Sequence, residues 1–263
     1  MNQPKKSLGQ HWLFDEDALA AMLEAGEVGA SDTVLEIGPG LGSLTLLLTA
    51  RAKEVVAIEA DEELASALPE KVPAANLSVE TGDILQFDAS DLSPNYKVVA
   101  NIPYYLTSKI LQYLLEVENP PQLMTLLMQK EVAERIVATP GQMSVLAFSV
   151  QYYAEPEICG YVGRELFEPV PKVDSAILKV RRRSEPYFPA DTSLLFRLVK
   201  AGFGERRKKL ANSLAGGLRC DKQLVQSALN DAGIEKDARA QELNLDEWSR
   251  LYTAALTMGL LKV

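Results

Sequence analysis

Val34-Leu35-Glu36-Ile37-Gly38-Pro39-Gly40-Leu41-Gly42 is the stretch whose reading decides the fold of this chain. A β-type run closes on three glycines at alternate positions, and a helical pattern follows Gly42. Lacking Cβ, glycine permits a sharp turn and lets a ligand lie against main-chain atoms, while the next helix offers its first N–H groups. The dinucleotide fingerprint is GxGxxG; here Gly42 comes two residues after Gly40, and an acid, Glu36, precedes the first glycine. A carboxylate at that point repels a pyrophosphate. It suits a ligand carrying an ammonium group and a sulfonium, as S-adenosylmethionine does.

Working outward, β-type runs alternate with helical patterns through the first two thirds, which reads as βα units on a mostly parallel sheet. Further strands are expected at Val55–Ile58, Leu77–Glu80, Val98–Ala100 and Met124–Leu127, with a closing hairpin of Glu157–Val162 and Ser175–Val180. An opening helix is expected from an Asp15 cap to Ala25, with Leu19, Met22 and Leu23 on one face and Gly26 as its stop. Other helices follow Gly42, Asp61, Thr107 and Lys130. After Pro186 and Pro189 the pattern is helical throughout, near Thr192–Phe203, Arg206–Leu214, Lys222–Ala232 and Asp246–Leu260. The expected division is therefore an α/β domain over residues 1–183 and a small helical domain over 184–263.

Composition excludes several function classes. The 263 residues hold two cysteines, Cys159 and Cys220, far apart, and one histidine, His11, so metal sites and Cys-His or Ser-His-Asp nucleophiles lack their parts. The start, Met1-Asn2-Gln3-Pro4-Lys5-Lys6, is followed by no apolar stretch of signal-peptide length and no run elsewhere approaches a bilayer span, so a reducing cytoplasm is expected, with no membrane partner. The formal charge of −9 speaks against a polyanion partner until it is divided. Residues 1–183 carry net −11 and residues 184–263 carry +2, with basic clusters at Lys179-Val180-Arg181-Arg182-Arg183, at Arg206-Arg207-Lys208-Lys209, and at Lys5-Lys6.

The strand ends carry the candidate chemistry. Glu59, 21 residues after Gly38, can accept both hydroxyls of a ribose, and Asp83 can accept from an adenine amino group. Asn101-Ile102-Pro103-Tyr104 follows the next strand. An exocyclic amine on a base is a poor nucleophile because its lone pair is delocalised into the ring. The Asn101 side-chain oxygen and the Ile102 carbonyl can accept its two N–H bonds and turn the lone pair outward, Pro103 stiffens the turn, and Tyr104 offers a stacking face. For any of these residues taken singly, a cap, turn or core role is the commoner reading; the ordered series favours the ligand site.

Gln10-His11-Trp12-Leu13, the Glu36–Gly42 turn, Glu59, Gly82-Asp83, Asn101-Ile102-Pro103-Tyr104, Glu131-Val132-Ala133-Glu134-Arg135, Phe167-Glu168-Pro169-Val170-Pro171-Lys172-Val173-Asp174-Ser175 and Phe203-Gly204-Glu205-Arg206-Arg207-Lys208-Lys209-Leu210 run in order along nearly the whole chain. Together they resemble the ribosomal RNA adenine dimethyltransferases, above all their small-subunit branch.

The resemblance implies a Rossmann-like class I S-adenosylmethionine-dependent methyltransferase fold, with a seven-stranded, mostly parallel sheet and a small all-helical C-terminal domain. It implies two methyl transfers to N6 of each of two adjacent adenosines near the 3′ end of small-subunit (16S) rRNA, within an immature ribosomal subunit. By position, His11, Leu13, Gly38, Gly40, Glu59, Asp83 and Asn101 are implied cofactor contacts, and Phe167 is implied as the wall opposite Tyr104, although by sequence alone it also reads as a core aromatic. Lys5, Lys6, Lys172, Arg181, Arg182, Arg206, Arg207 and Lys208 are implied phosphate contacts, and a monomer is the default. The chain departs from the family at His11 and Trp12, commonly asparagine and phenylalanine, and at Ile102, commonly leucine. A large-subunit enzyme of the macrolide-resistance type and a non-catalytic assembly factor stay open as alternatives.

Overall fold

The computed structural model describes residue 5 and residues 9–261. The chain divides into two compact units. One runs to Glu134 and resumes over Ala154–Arg183; the other takes Arg135–Tyr153 and continues from Ser184. The second stretch thus begins at the expected 183/184 boundary, but residues 135–153, expected in the α/β domain, belong to the helical unit.

The first unit contains, in order, β1 (Trp12–Leu13), α1 (Glu16–Ala25), β2 (Thr33–Ile37), α2 (Ser43–Arg51), β3 (Glu54–Glu59), α3 (Glu62–Lys71), β4 (Leu77–Thr81), β5 (Lys97–Asn101), α4 (Thr107–Glu116), β6 (Leu123–Gln129) and the start of α5 (Lys130–Ile136). After α6 (Val145–Tyr153) in the other unit come β7 (Ala154–Val162), β8 (Phe167–Glu168) and β9 (Ser175–Arg182). Seven strands form one sheet in the order β4-β3-β2-β5-β6-β9-β7. β2 through β6 are parallel, and β9 runs antiparallel to both β6 and β7. This is the expected sheet.

Two local features place the site. α1 starts where Asp15 accepts from the Ala18 N–H at 2.8 Å, and it buries Ala18, Leu19, Met22 and Leu23, so the cap and the apolar face agree on its ends. The strand order reverses between β2 and β5, where an open sheet leaves a crevice at the strands' carboxyl ends. β2 stays in register with β3 up to Ile37↔Ile58, whereas its pairing with β5 reaches only Leu35↔Val98. The two central strands part just below Gly38 and Asn101. A short ribbon absent from the sequence reading, Trp12↔Glu168 and Leu13↔Phe167, ties the N-terminal segment to the proline-bearing loop.

In the second unit, α6 joins α7 (Thr192–Phe203), α8 (Leu210–Leu218), α9 (Lys222–Asp231) and α10 (Leu245–Thr257). Phe148 packs edge-on against Trp248, whose ring is fully buried. The helix expected from Arg206 begins instead at Leu210. α7 and α8 lie so close that a Cβ on Gly217 would stand 2.7 Å from that of Ala201, so the chain must reverse between them. The charged run, with no apolar face to bury, makes that turn.

Candidate functional site

At the carboxyl end of β2 the chain turns with Gly38, Gly40 and Gly42 all at positive φ. Gly42 combines φ +91° with a position where a Cβ would meet Leu68 and Val72 at 2.9 and 3.0 Å, so any side chain there strains the backbone and displaces α3. At Gly40 a Cβ would lie 3.0 Å from the Trp12 indole. Glu59, ending β3, holds this turn: its two carboxylate oxygens accept from the Gly40 and Asp61 N–H groups, each at 3.0 Å. Its pKa is raised, chiefly by burial and against the pull of those N–H groups.

Glu36 is only 1% exposed, and one oxygen, Oε2, has no hydrogen-bond partner among the described residues. Burial drives its pKa up from 4.5 to about 8; the Thr45 hydroxyl opposes this and the charge of Glu59 adds to it. An orphaned, buried carboxyl beside a glycine cradle fits a ligand that brings a cation. It also has a cost. The folded state binds the Glu36 proton more tightly than the unfolded chain, so this group's stability is present at pH 4.5 and below and is lost as pH rises toward 8. Glu36→Gln keeps the shape without the charge, and thermal melts of the ligand-free variant should fall by several degrees less than wild type between pH 6 and pH 9. Equal slopes would assign the loss to other groups.

A cleft of about 90 Å³ opens over this turn, lined among others by His11, Gly38, Glu59, Asp83, Asn101 and Pro103. These sequence-predicted residues, from five separate segments, converge. Asp83 also spends one oxygen as a cap, accepting from the Leu85 N–H at 3.0 Å. A smaller cavity of about 30 Å³ beside the cleft is lined by Leu13, Glu36, Gly38 and Asn101, with Trp12 on both.

Asn101 is held in a definite orientation. Its Nδ2 donates to the His11 carbonyl at 2.9 Å, which leaves Oδ1 as the acceptor. Ile102 is buried and its N–H donates to Leu127. Pro103 opens the single turn Tyr104–Leu106. The Tyr104 hydroxyl is 2.7 Å from the Ser175 hydroxyl, and its ring stacks on His11 with centroids 5.7 Å apart. His11 is further tied through Nδ1, 2.6 Å from the Pro169 carbonyl oxygen.

Phe167 requires a correction. It is 3% exposed and packs in the buried cluster with Leu13, Leu19 and Leu127, so in this structure it is the core aromatic rather than an open wall of the cleft. Its pairing with Leu13 across the β1–β8 ribbon sets that placement. The reading missed Trp12 and Tyr105 as cleft residues. The indole has no spacing signal in the sequence, and it is Tyr105, 59% exposed, that lines the cleft, whereas the expected Tyr104 is not among the lining residues.

The basic candidates separate into paired and unpaired groups. Lys5 is bound to Asp61 at 2.9 Å, and Lys6 lies outside the described residues. Arg181 and Lys179 both bind Glu27, which holds its carboxyl down at about 2, and Arg182 donates to the Leu115 carbonyl. Lys208 pairs with Glu205. Lys172, Arg206 and Arg207 are exposed and have no ion pair among the described residues. Among those residues no cluster of three His, Cys, Asp or Glu side chains is placed to hold a metal.

The family model described as ribosomal RNA adenine dimethylase matches residues 1–255. The ribosomal RNA small subunit methyltransferase A of Dehalococcoides mccartyi is 44% identical, with 94% of this chain and 87% of that one covered. The protein of that name in Bacillus mycoides is 38% identical, covering 96% and 91%. A dimethyladenosine transferase from Plasmodium falciparum has a TM-score of 0.82 at 25% identity, covering 94% of this chain and 98% of that one. The 23S rRNA methyltransferase ErmE has a TM-score of 0.74 at 32% identity, covering 92% and 98%.

Proposed function

The chain belongs to the ribosomal RNA adenine dimethylase family, and from that premise we infer that it transfers methyl groups from S-adenosylmethionine to N6 of adenosines in small-subunit rRNA. The observation that carries this reading is Asn101, pinned by its amide nitrogen to His11 so that Oδ1 is left as an acceptor, in the lining of a cleft with Gly38 and Glu59 and of the small cavity beside it with Glu36. Two adjacent adenosines near the 3′ end of the rRNA, in an immature subunit, are the proposed target. The enzyme is proposed to act as a monomer in the cytoplasm; no helix among the described residues is long and apolar enough to cross a membrane.

The residues divide the work. Glu59 is placed to hold the ribose, Asp83 the adenine and Glu36 the ammonium end of the donor, which when bound supplies an electrophilic methyl group. Asn101 Oδ1 and the Ile102 carbonyl accept the two N–H bonds of the target amine and aim its lone pair into the cleft. Position substitutes for a strong base. The His11–Tyr104 stack is the aromatic platform for the flipped base, and such stacking is worth about 1–3 kcal/mol, comparable with the cost of unstacking a nucleotide.

Lys172, Arg206 and Arg207 are the proposed phosphate contacts, because a cation already neutralised by the chain's own carboxylates releases few counterions. Arg206→Ala with Arg207→Ala should weaken RNA binding and lower the slope of log affinity against log salt by about 1.4 to 1.8. Arg181→Ala, which removes a charge already paired with Glu27, should leave the slope nearly unchanged. Equal slopes for both variants would contradict the assignment. The activity itself is tested by incubating the protein and labelled donor with unmodified small and large subunits. Label in small-subunit rRNA is expected, and label in large-subunit rRNA alone would reverse the substrate.

A further inference from the structure

Trp12 lies over the glycine turn with its indole in the volume that a side chain at position 40 would need, 3.0 Å from that Cβ position at both Cδ1 and Nε1. Its Nε1 is buried and has no hydrogen-bond partner among the described residues. Buried tryptophan N–H groups normally find an acceptor, and one left without a partner bears the full cost of its lost hydration. Glu36, whose buried Oε2 also has no partner among the described residues, lines the same small cavity as Trp12 and Gly38. One unmatched donor and one unmatched acceptor therefore belong to two residues that line a single small cavity at the end of β2. That pair complements an α-amino acid zwitterion: the carboxyl answers an ammonium and the indole N–H answers a carboxylate. The ring alone does not require tryptophan, since phenylalanine would also cover Gly40; only tryptophan brings the N–H.

We propose that Trp12 is a specificity residue for the amino-acid end of the methyl donor, its Nε1–H donating to the donor's α-carboxylate opposite Glu36. The proposal rests on the donor lying in this cleft and adds the chemistry by which its carboxylate is read. Intact donor and product are then distinguished from analogues that keep the nucleoside and the amine but lack the carboxylate.

The test is calorimetric and needs no turnover. Wild type and Trp12→Phe are titrated with S-adenosylhomocysteine and with its decarboxylated analogue, with thermal melts to compare the two folds. Trp12→Phe should weaken S-adenosylhomocysteine about tenfold and change the decarboxylated analogue by less than about twofold. Equal weakening of both ligands would make Trp12 a packing residue and overturn the proposal, as would no weakening of either. If wild type bound neither ligand, the placement of the donor in the cleft would itself fail, and Trp12's role with it.

Discussion

Asn101→Ala is expected to lower kcat for methyl transfer by about 10³-fold, because it deletes the side-chain acceptor proposed to receive the target amine. The geometry also predicts a second, smaller effect. Asn101 Nδ2 anchors the His11 carbonyl at 2.9 Å, and residues 10–12 line the cleft, so the variant should loosen that wall and weaken S-adenosylhomocysteine by severalfold. Asn101→Asp separates the two roles, since it keeps an acceptor but loses the donor to His11. A stopped assay with labelled donor and calorimetry read kcat and affinity independently. Near-normal kcat in Asn101→Ala would remove the residue from the chemistry whatever happened to binding.

Glu59→Gln should produce the largest loss of donor affinity, about 10²-fold. Glu59 accepts from Gly40 and Asp61 with separate oxygens, and both N–H groups are fixed by the turn and by the start of α3. An amide has only one acceptor oxygen, so one of the two N–H groups would face an NH₂ group and the glycine turn would lose a clamp. Charge-assisted bonds of this kind are worth about 1.5–3 kcal/mol each, and the ribose contacts proposed for the same carboxylate would weaken with them. Calorimetry with S-adenosylhomocysteine measures the loss directly. An affinity within threefold of wild type would show that Glu59 supports the turn without contributing to binding.

The parts of this architecture written in local sequence were legible. Asp15 and Gly26 bound α1, the apolar runs locate all seven strands of the main sheet, and the strand-end residues Gly38, Glu59, Asp83 and Asn101 meet at one cleft because a parallel sheet gathers its carboxyl ends on one side. What escaped was non-local. Residues 135–153 carry an apolar helix that the chain position assigns to the sheet domain, yet Phe148 finds its aromatic partner in Trp248, a hundred residues on. Phe167 is withdrawn into the core by a two-residue ribbon with Leu13, too short to leave a periodic signal. Glu27 neutralises Lys179 and Arg181 from another part of the chain, so the basic run is weaker as a phosphate site than its sequence reads. Trp12 is in the same class: its packing against Gly40 and its unmatched N–H exist only once the N-terminal segment folds over the turn.

The central claim is that Asn101 presents the exocyclic nitrogen of an adenine to the donor's methyl group. Its most direct test is mass spectrometry of nucleosides from unmodified small-subunit rRNA after incubation with labelled donor and either wild type or Asn101→Ala. The account predicts labelled N6,N6-dimethyladenosine with wild type and almost none with the variant. Label on a ribose hydroxyl or a ring nitrogen, or undiminished dimethyladenosine from the variant, would contradict it.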